Sequence, residues 1–143
     1  GDDLYLAFEA PLDGYLAIYL YDGGTHAYCL LPYINMSSSA FAVKGGEKYV
    51  FFSSGMAKQP LNPNDVDEFA LTCSSPIEVD RIYCVYSPDF FTASADTGPS
   101  GTSLPREIAY TSFQRWLSQT RMRDVRMKVR TFDITIRKKT NGD

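Results

Sequence analysis

Residues 14–24 have the sequence GYLAIYLYDGG, and this stretch decides the fold. Leu16, Ile18 and Leu20 alternate with tyrosine and alanine, so both sides of the predicted strand are apolar or aromatic. A strand of this kind is covered on both faces, which predicts a central position in a sheet. The Asp-Gly-Gly turn sequence that follows predicts a hairpin with the next apolar run, His26–Tyr33.

Further short apolar runs, separated by turn residues, continue this pattern on both sides of the hairpin. They predict strands at Leu4–Phe8, Ala40–Val43, Lys48–Phe52, Glu68–Cys73 and Val79–Tyr86. Pro32 has no N–H to donate to a ladder, so strand pairing should weaken at that residue. Residues 92–103, rich in Gly, Ser and Thr, are predicted to form a surface loop.

One helical segment interrupts the β pattern near the C-terminus. Thr111 and Gln114 have the spacing of a capping box, which predicts a helix over about residues 112–122. Phe113, Trp116 and Leu117 form an apolar stripe on it. If this stripe seals the sheet, truncating the tryptophan to alanine should cost about 3–5 kcal/mol; the alternative is an exposed docking helix.

The last predicted strand, Val125–Arg137, changes its pattern halfway. Its apolar residues are odd-numbered at first and even-numbered later: Val125, Met127 and Val129, then Phe132, Ile134 and Ile136. Because side chains alternate strictly between the two faces, one apolar face can be kept only by inserting a residue. The pattern therefore predicts a β-bulge near Arg130-Thr131.

Together these segments predict a mainly β protein, an antiparallel β-sandwich or open barrel of seven to nine strands with one C-terminal helix. The length of 143 residues favours a single domain over residues 1–143. Because the sequence starts without methionine, we expect a processed or truncated chain that is a fragment of a longer protein. No apolar run approaches the roughly 20 residues that a membrane-spanning helix needs.

The charge is distributed unevenly along the chain. The first 100 residues hold 4 basic and 13 acidic side chains, whereas residues 101–143 hold 10 basic and 4 acidic ones. The formal net charge of −3 gives little support to a nucleic-acid partner. The basic residues include a candidate interaction surface: Arg121, Arg123, Arg126, Lys128 and Arg130. The favoured alternative is that the cations of the last strand protect a sheet edge from aggregation.

No residue pattern marks a catalytic, cofactor or metal site. His26 and Cys29 lie three apart in one predicted strand and therefore point to opposite faces. The cysteines are expected to be small buried apolar residues, with a Cys73–Cys84 disulfide as the alternative. Oxygen-bearing side chains gather at residues 62–68, which favours turns over a calcium site because the EF-hand spacing is absent.

Several turn and strand motifs share a family likeness: Asp13-Gly14-Tyr15, Asp22-Gly23, Leu30-Leu31-Pro32-Tyr33, Gly45-Gly46 and Ser87-Pro88. With them, residues 4–90 resemble the bacterial domain-of-unknown-function family 4384. The helix and final strand resemble a C-terminal extension of gut Bacteroidetes members. Tyr33 departs from the family, in which a small polar residue is usual, and the segment after Phe52 lacks the expected proline.

The resemblance implies a periplasmic or cell-envelope protein in which this domain accompanies other modules. It supplies no catalytic residue and no cofactor that could be assigned to this sequence. The expected function is a non-catalytic interaction or accessory domain whose partner is a protein or a cell-wall component. A carbohydrate-binding module is the alternative, because sugars stack on aromatic rings and tyrosines are frequent in the strands. A hydrolase whose site assembles only in three dimensions is the third possibility.

Overall fold

The computed structural model describes residues 2–33, 40–56, 66, 70–71, 77–92 and 106–137. These residues form ten β-strands, a helix α1 (Tyr110–Arg123) and a 3₁₀-helix, Ser54–Met56. The strands are β1 (Asp2–Asp3), β2 (Leu6–Glu9), β3 (Gly14–Tyr21), β4 (His26–Leu31), β5 (Phe41–Val43), β6 (Lys48–Phe51), β7 (Ala70–Leu71), β8 (Ile77–Ser87), β9 (Arg106–Ala109) and β10 (Lys128–Arg137). If the two-residue strands β1 and β7 are left out, the described residues contain eight strands. This number lies within the predicted range of seven to nine.

A six-stranded antiparallel sheet forms the centre of the fold. Five of its strands follow the order β10–β8–β3–β4–β9, and β5 pairs with the first residues of β3. A separate two-stranded ribbon is made by β2 and β6, and β1 pairs with β7. The prediction of a mainly β, antiparallel fold with one C-terminal helix is confirmed, and the sheet is not closed into a barrel.

The strand β3 is the middle of this sheet and is buried on both faces, as its sequence predicts. Leu16 and Ile18 are completely buried on one face, whereas Ala17 and Tyr19 are completely buried on the other. The chain therefore has two hydrophobic clusters, one on each side of a single sheet. Burial of apolar area in both clusters supplies the main stabilisation of such a fold.

Each face of the sheet has its own cover. The β2–β6 ribbon packs on the first face, which we call the ribbon face, through Phe8 and Phe51. The helix α1 packs on the second face, the helix face, through Phe113 and Leu117. The Phe113 ring lies 4.7 Å from that of Tyr19, measured between centroids. The result is three layers, with the six-stranded sheet between the ribbon and the helix.

The predicted β3–β4 hairpin is present, and glycine is required at both ends of β3. A Cβ atom at Gly14 would lie 2.4 Å from the carbonyl oxygen of Ser87, so no larger residue fits there. In the hairpin turn, Gly23 has a φ of +90°, a conformation that L side chains rarely adopt. The second strand of the hairpin ends at Leu31, two residues before the predicted end at Tyr33, because pairing stops at Pro32, where it was expected to weaken.

Helix α1 is present but does not begin with the predicted capping box. It starts at Tyr110, its N-cap residue is Ala109, and no side chain caps it. Gln114 instead donates hydrogen bonds from Nε2 to the Tyr110 and Tyr83 hydroxyls, at 2.7 and 3.3 Å. The capping-box prediction is wrong because β9 leads directly into the helix and its last residue takes the N-cap position. Sequence reasoning missed β9, since four residues carry too short a pattern.

The bulge predicted at Arg130-Thr131 is also wrong. Strands β10 and β8 pair in continuous register over all ten residues of β10. The apolar residues change parity because the strand contributes to both clusters in turn: Val129 packs on the helix face and Ile134 on the ribbon face. The one register shift in the six-stranded sheet, among the described residues, lies between Ile18 and Tyr19 of the β3–β4 pair.

Two predictions concern residues that lie partly outside the described part of the chain. Of the strand predicted at Glu68–Cys73, the structure describes β7, and the oxygen-rich segment 62–68 is described only at Val66. Cys29 and Cys84 are buried thiols, as expected. Cys73, the partner in the alternative disulfide, lies outside the described residues.

We expect the aromatic stripe of α1 to contribute unequally to stability. Phe113 is completely buried between Tyr19 and Tyr83, whereas Trp116 is only partly buried. Phe113→Ala should therefore lower the free energy of unfolding by about 3–5 kcal/mol, and Trp116→Ala by less. Urea denaturation followed by circular dichroism measures both. Equal losses, or a larger loss for the tryptophan variant, would contradict this assignment of the helix core.

Candidate functional site

A groove lies at the C-terminal end of α1, and we call it the helix-end groove. It is lined by residues 89–92, residues 123–126 and the helix residues Trp116, Gln119 and Thr120. Its volume is about 580 Å³, and its lining mixes aromatic rings with amide, hydroxyl and charged groups. Concave sites with apolar walls and a few polar groups are typical ligand sites.

The frame of the groove is held together by the carboxylate of Asp124. One carboxylate oxygen accepts a hydrogen bond from the Ser87 hydroxyl, and the other accepts one from the Arg126 N–H at 3.0 Å. The Asp124 N–H makes the last helical hydrogen bond, to the Thr120 carbonyl at 3.0 Å, and its extended backbone ends the helix. A single residue thus connects the end of β8, the end of α1 and the turn into β10.

An ion pair within the groove lining joins the segment after β8 to the turn before β10. The Arg126 guanidinium donates from Nε to Asp89 Oδ2 at 3.1 Å and makes a second bond to the other carboxylate oxygen. Both side chains are exposed, so the pair adds little stability, but it fixes the position of two lining segments. The Asp89 carboxylate raises the pKa of the Arg126 guanidinium above its already high value.

Large apolar side chains are exposed around this groove. Phe90 is 56% exposed and its ring stands edge-on to Tyr15, with centroids 5.2 Å apart. Val125, in the turn after the helix, is 92% exposed. Met122, in the last helical turn, is 83% exposed. Apolar side chains gathered at one end of a molecule often mark an interaction site.

Trp116 forms the inner wall of the groove. Its indole Nε1 donates a hydrogen bond to the Thr92 carbonyl at 2.8 Å. Its ring packs on Tyr19, with centroids 5.5 Å apart, and on Phe113 and Phe91. The predicted contact of this tryptophan with the core is confirmed, but one side of the side chain remains available to the groove.

The structure divides the predicted basic surface into separate parts. Arg121 and Arg123 are exposed in the last turn of α1, and Arg126 is paired with Asp89. Lys128 and Arg130 lie opposite Tyr86 and Cys84 in register and so belong to the ribbon face of β10, away from the helix. This strand is an edge of the sheet, as the edge-protection hypothesis requires.

The strand tyrosines belong to the core and do not form an exposed aromatic platform. Tyr19, Tyr33 and Tyr49 are buried, and Tyr15, Tyr21 and Tyr28 are half-buried against the two clusters. Tyr21 stacks on Tyr110 at a centroid distance of 3.6 Å. These rings are therefore used in packing, and the exposed aromatic rings of the described residues lie elsewhere, at Tyr5, Phe90 and Phe132.

His26 lies at the start of β4, where its Nδ1 is within 2.8 Å of the neighbouring Thr25 hydroxyl oxygen. Cys29 is on the helix face, and its thiol donates to the Leu31 carbonyl at 3.5 Å. The two residues do not face each other, as the strand alternation predicts. Among the described residues, no three His, Cys, Asp or Glu side chains gather in a way that could hold a metal ion.

Burial and a second carboxyl group change the acidity of Asp80, on the ribbon face of β8. Its side chain is 4% exposed, and its Oδ1 has no hydrogen-bond partner. Burial, a hydrogen bond with the Glu78 carboxyl and the charge of Asp22 together raise the pKa of Asp80 to about 7. Two carboxyl groups can share a hydrogen bond only when one holds a proton, so ionisation removes this contact.

Sequence reasoning missed the residues that build the groove. Ser87 and Asp124 are 37 positions apart, and no local pattern indicates that their side chains meet. Phe90 and Phe91 follow a Ser-Pro-Asp turn sequence without strand or helix periodicity. Only the position of Asp124, two residues after the predicted end of a helix, could have suggested a capping role.

Comparisons with known proteins give no further assignment. No family model, no curated protein and no solved structure matches this chain. The resemblance of residues 4–90 to a bacterial envelope family therefore stays a prediction. Within the described ranges, no helix is long and apolar enough to cross a membrane.

The buried carboxyl of Asp80 predicts a pH dependence of stability. The folded state binds this proton more tightly than the unfolded state, in which the pKa is near 3.8. The contribution of Asp80 to the free energy of unfolding is therefore retained below about pH 4 and is lost as the pH rises to about 7. Asp80→Asn, which cannot ionise, should be about as stable as wild type at pH 4 and about 2–4 kcal/mol more stable at pH 8.

Urea denaturation of both proteins across this pH range measures the difference. Glu47→Gln, in an exposed turn, is the matched control and should follow the wild-type profile. A constant difference between the Asp80 variant and wild type at all pH values would contradict the assigned titration.

Proposed function

We propose that this chain is a non-catalytic interaction domain of a bacterial cell-envelope protein, and that its partner docks on the helix-end groove. The observation that carries the proposal is the exposed apolar surface in the groove lining, formed by Phe90 and Val125. A partner that covers such exposed apolar area removes it from water, and this burial stabilises the complex. The envelope setting follows from the resemblance of residues 4–90.

The polar groups around the groove suit a binding role. Arg123 and Arg126 are exposed and belong to the groove lining, so the site combines apolar and cationic side chains. Arginine and aromatic residues are the side chains most often found at the centre of protein interfaces. The Asp124 contacts and the Arg126–Asp89 ion pair hold the site in shape, so little conformational entropy is lost on binding.

Site-specific crosslinking in the cells that make the protein tests the proposal. A photoreactive benzoylphenylalanine at position 125 should give a discrete covalent adduct, because Val125 is almost fully exposed in the groove lining. Adding Phe90→Ser should abolish this adduct. The matched control carries the same group at Thr111, exposed at the opposite end of α1, and should give none.

Either no adduct at position 125 or equal adducts from both positions would contradict docking on the groove. Digestion of the adduct with proteases or with glycosidases identifies the partner as a protein or a glycan.

A carbohydrate ligand is the second candidate, and the composition of the groove favours it. The partly accessible Trp116 and the exposed Phe90 ring supply apolar faces of the kind on which sugar rings stack. Gln119 and Asp124 supply planar groups that hydrogen-bond hydroxyls. This assignment differs from the sequence-based one, which relied on tyrosines that are used in the core.

Affinity electrophoresis in gels that contain soluble cell-wall polysaccharides tests the carbohydrate candidate. A bound polysaccharide should retard the wild-type domain, and Phe90→Ala should weaken this binding about tenfold or more, as loss of an anchoring aromatic does. Phe132→Ala removes a similarly exposed ring from β10 and should leave retardation unchanged. Absence of retardation in all gels would contradict the carbohydrate candidate and leave protein binding as the proposed function of the groove.

A further inference from the structure

The outer edge of β10 is unusually accessible. This strand has ten residues, all paired with β8, and no other strand in the described part of the chain pairs with its opposite side. The four consecutive residues 130–133 are exposed. Because neighbouring residues of a strand point to opposite faces, such a run means that side chains on both faces of the strand are accessible at this point. The backbone N–H and C=O groups of that edge can therefore pair with another chain.

Four residues of β10 at alternate positions place their side chains on the ribbon face. In chain order they are two cations followed by two apolar residues: Lys128, Arg130, Phe132 and Ile134. Phe132 is 45% exposed. In an added strand, every second side chain would lie beside one of these four residues. Those side chains should therefore be acidic opposite the cations and apolar opposite Phe132 and Ile134.

The two cations have no acidic partner among the described residues. Asp133 on the same strand is paired with Arg81, which donates from Nε at 2.9 Å and lowers the pKa of that carboxyl. Asp89 is paired with Arg126. Neither Lys128 nor Arg130 belongs to a salt bridge within this part of the structure. Their charges are therefore available to an incoming acidic group.

We propose that β10 is a docking edge, to which an extended acidic segment of a partner protein adds as an antiparallel strand. Main-chain hydrogen bonds would supply affinity, and alternate side chains would supply specificity. In the antiparallel direction the segment carries two apolar residues at alternate positions, followed by two acidic ones. Its apolar residues meet Ile134 and Phe132, and its acidic residues meet Arg130 and Lys128.

A second copy of this chain is a poorer occupant than an acidic segment. Its own β10 offers the same cations, and its one acidic residue, Asp133, is already paired with Arg81. The edge cations therefore exclude like strands, which is their usual protective role, while they select an acidic one. The surface does not depend on the helix-end groove, so the two proposals succeed or fail separately.

Two-dimensional NMR of the full ¹⁵N-labelled chain tests the proposal. The probe is a synthetic nonapeptide, acetyl-Thr-Val-Thr-Phe-Thr-Glu-Thr-Glu-Thr-amide. Its addition should shift the amide signals of β10 and leave those of α1 unchanged. Binding should weaken when salt is raised from about 0.05 to about 0.5 M. Arg130→Glu should weaken it about tenfold, and Arg130→Gln by less, while both variants keep the wild-type melting temperature because the site is exposed.

Two control peptides separate strand addition from simple charge attraction. Replacing both glutamates with lysine should abolish binding. N-methylation of alternate amides keeps the charge but removes the main-chain donors, and should also abolish binding.

Absence of shifts, or equal binding of the N-methylated peptide, would overturn the proposal. Shifts at Arg123 and Val125 instead of β10 would assign the acidic segment to the helix-end groove. Sedimentation of the wild-type chain alone should show a monomer. A dimer that is lost on Phe132→Glu would make a second copy the occupant of this edge.

Discussion

Burial of β3 on both faces is the constraint on which the rest of the structure depends. A strand with apolar side chains in both directions cannot lie at an edge or face water, so the chain has to supply neighbours and two covers. Strands β8 and β4 supply the neighbours. The β2–β6 ribbon and α1 supply the covers. The helix is therefore an integral layer of the domain and cannot be regarded as an appendage.

The position of α1 on the sheet in turn determines where a site can form. The helix covers the middle of the helix face through Phe113, and its C-terminal turn extends beyond the end of β8. The aspartate after the helix is captured there by Ser87, the last residue of β8. The groove is thus a consequence of how one helix crosses the end of one strand, and its lining comes from segments distant in sequence.

Much of the fold could be predicted from local patterns, because apolar residues recur with a characteristic period in strands and in helices. The bounds of β3 were predicted to the residue, and the helix was predicted within about two residues at each end. The failures have one cause. In β10 the change of parity was attributed to a bulge, but whether Val129 and Ile134 share a face or pack on opposite faces depends on what covers each side of the sheet. The capping box failed for a related reason, since Gln114 is used by Tyr83 of a distant strand.

The candidate site could be predicted far less well than the fold. Arg121 and Arg123 were predicted as part of one basic surface with three cations of the last strand, and they lie in the last turn of α1. The separation of Lys128 and Arg130 from them follows from the sheet register, which no single sequence reveals. Ser87, Phe90 and Asp124 carry no recognisable pattern, since a groove is a property of surfaces that meet only after folding.

The one tryptophan of the chain has a spectroscopic consequence. Trp116 is the only indole fluorophore, it is partly buried, and its N–H is held by the Thr92 carbonyl at the groove. Tyr19 and Phe91 contact its ring, and the folded core limits its exposure to water. Its emission therefore reports on two events without any added label. Loss of the core shifts the emission to longer wavelength, and a ligand that enters the groove changes its intensity while the protein remains folded.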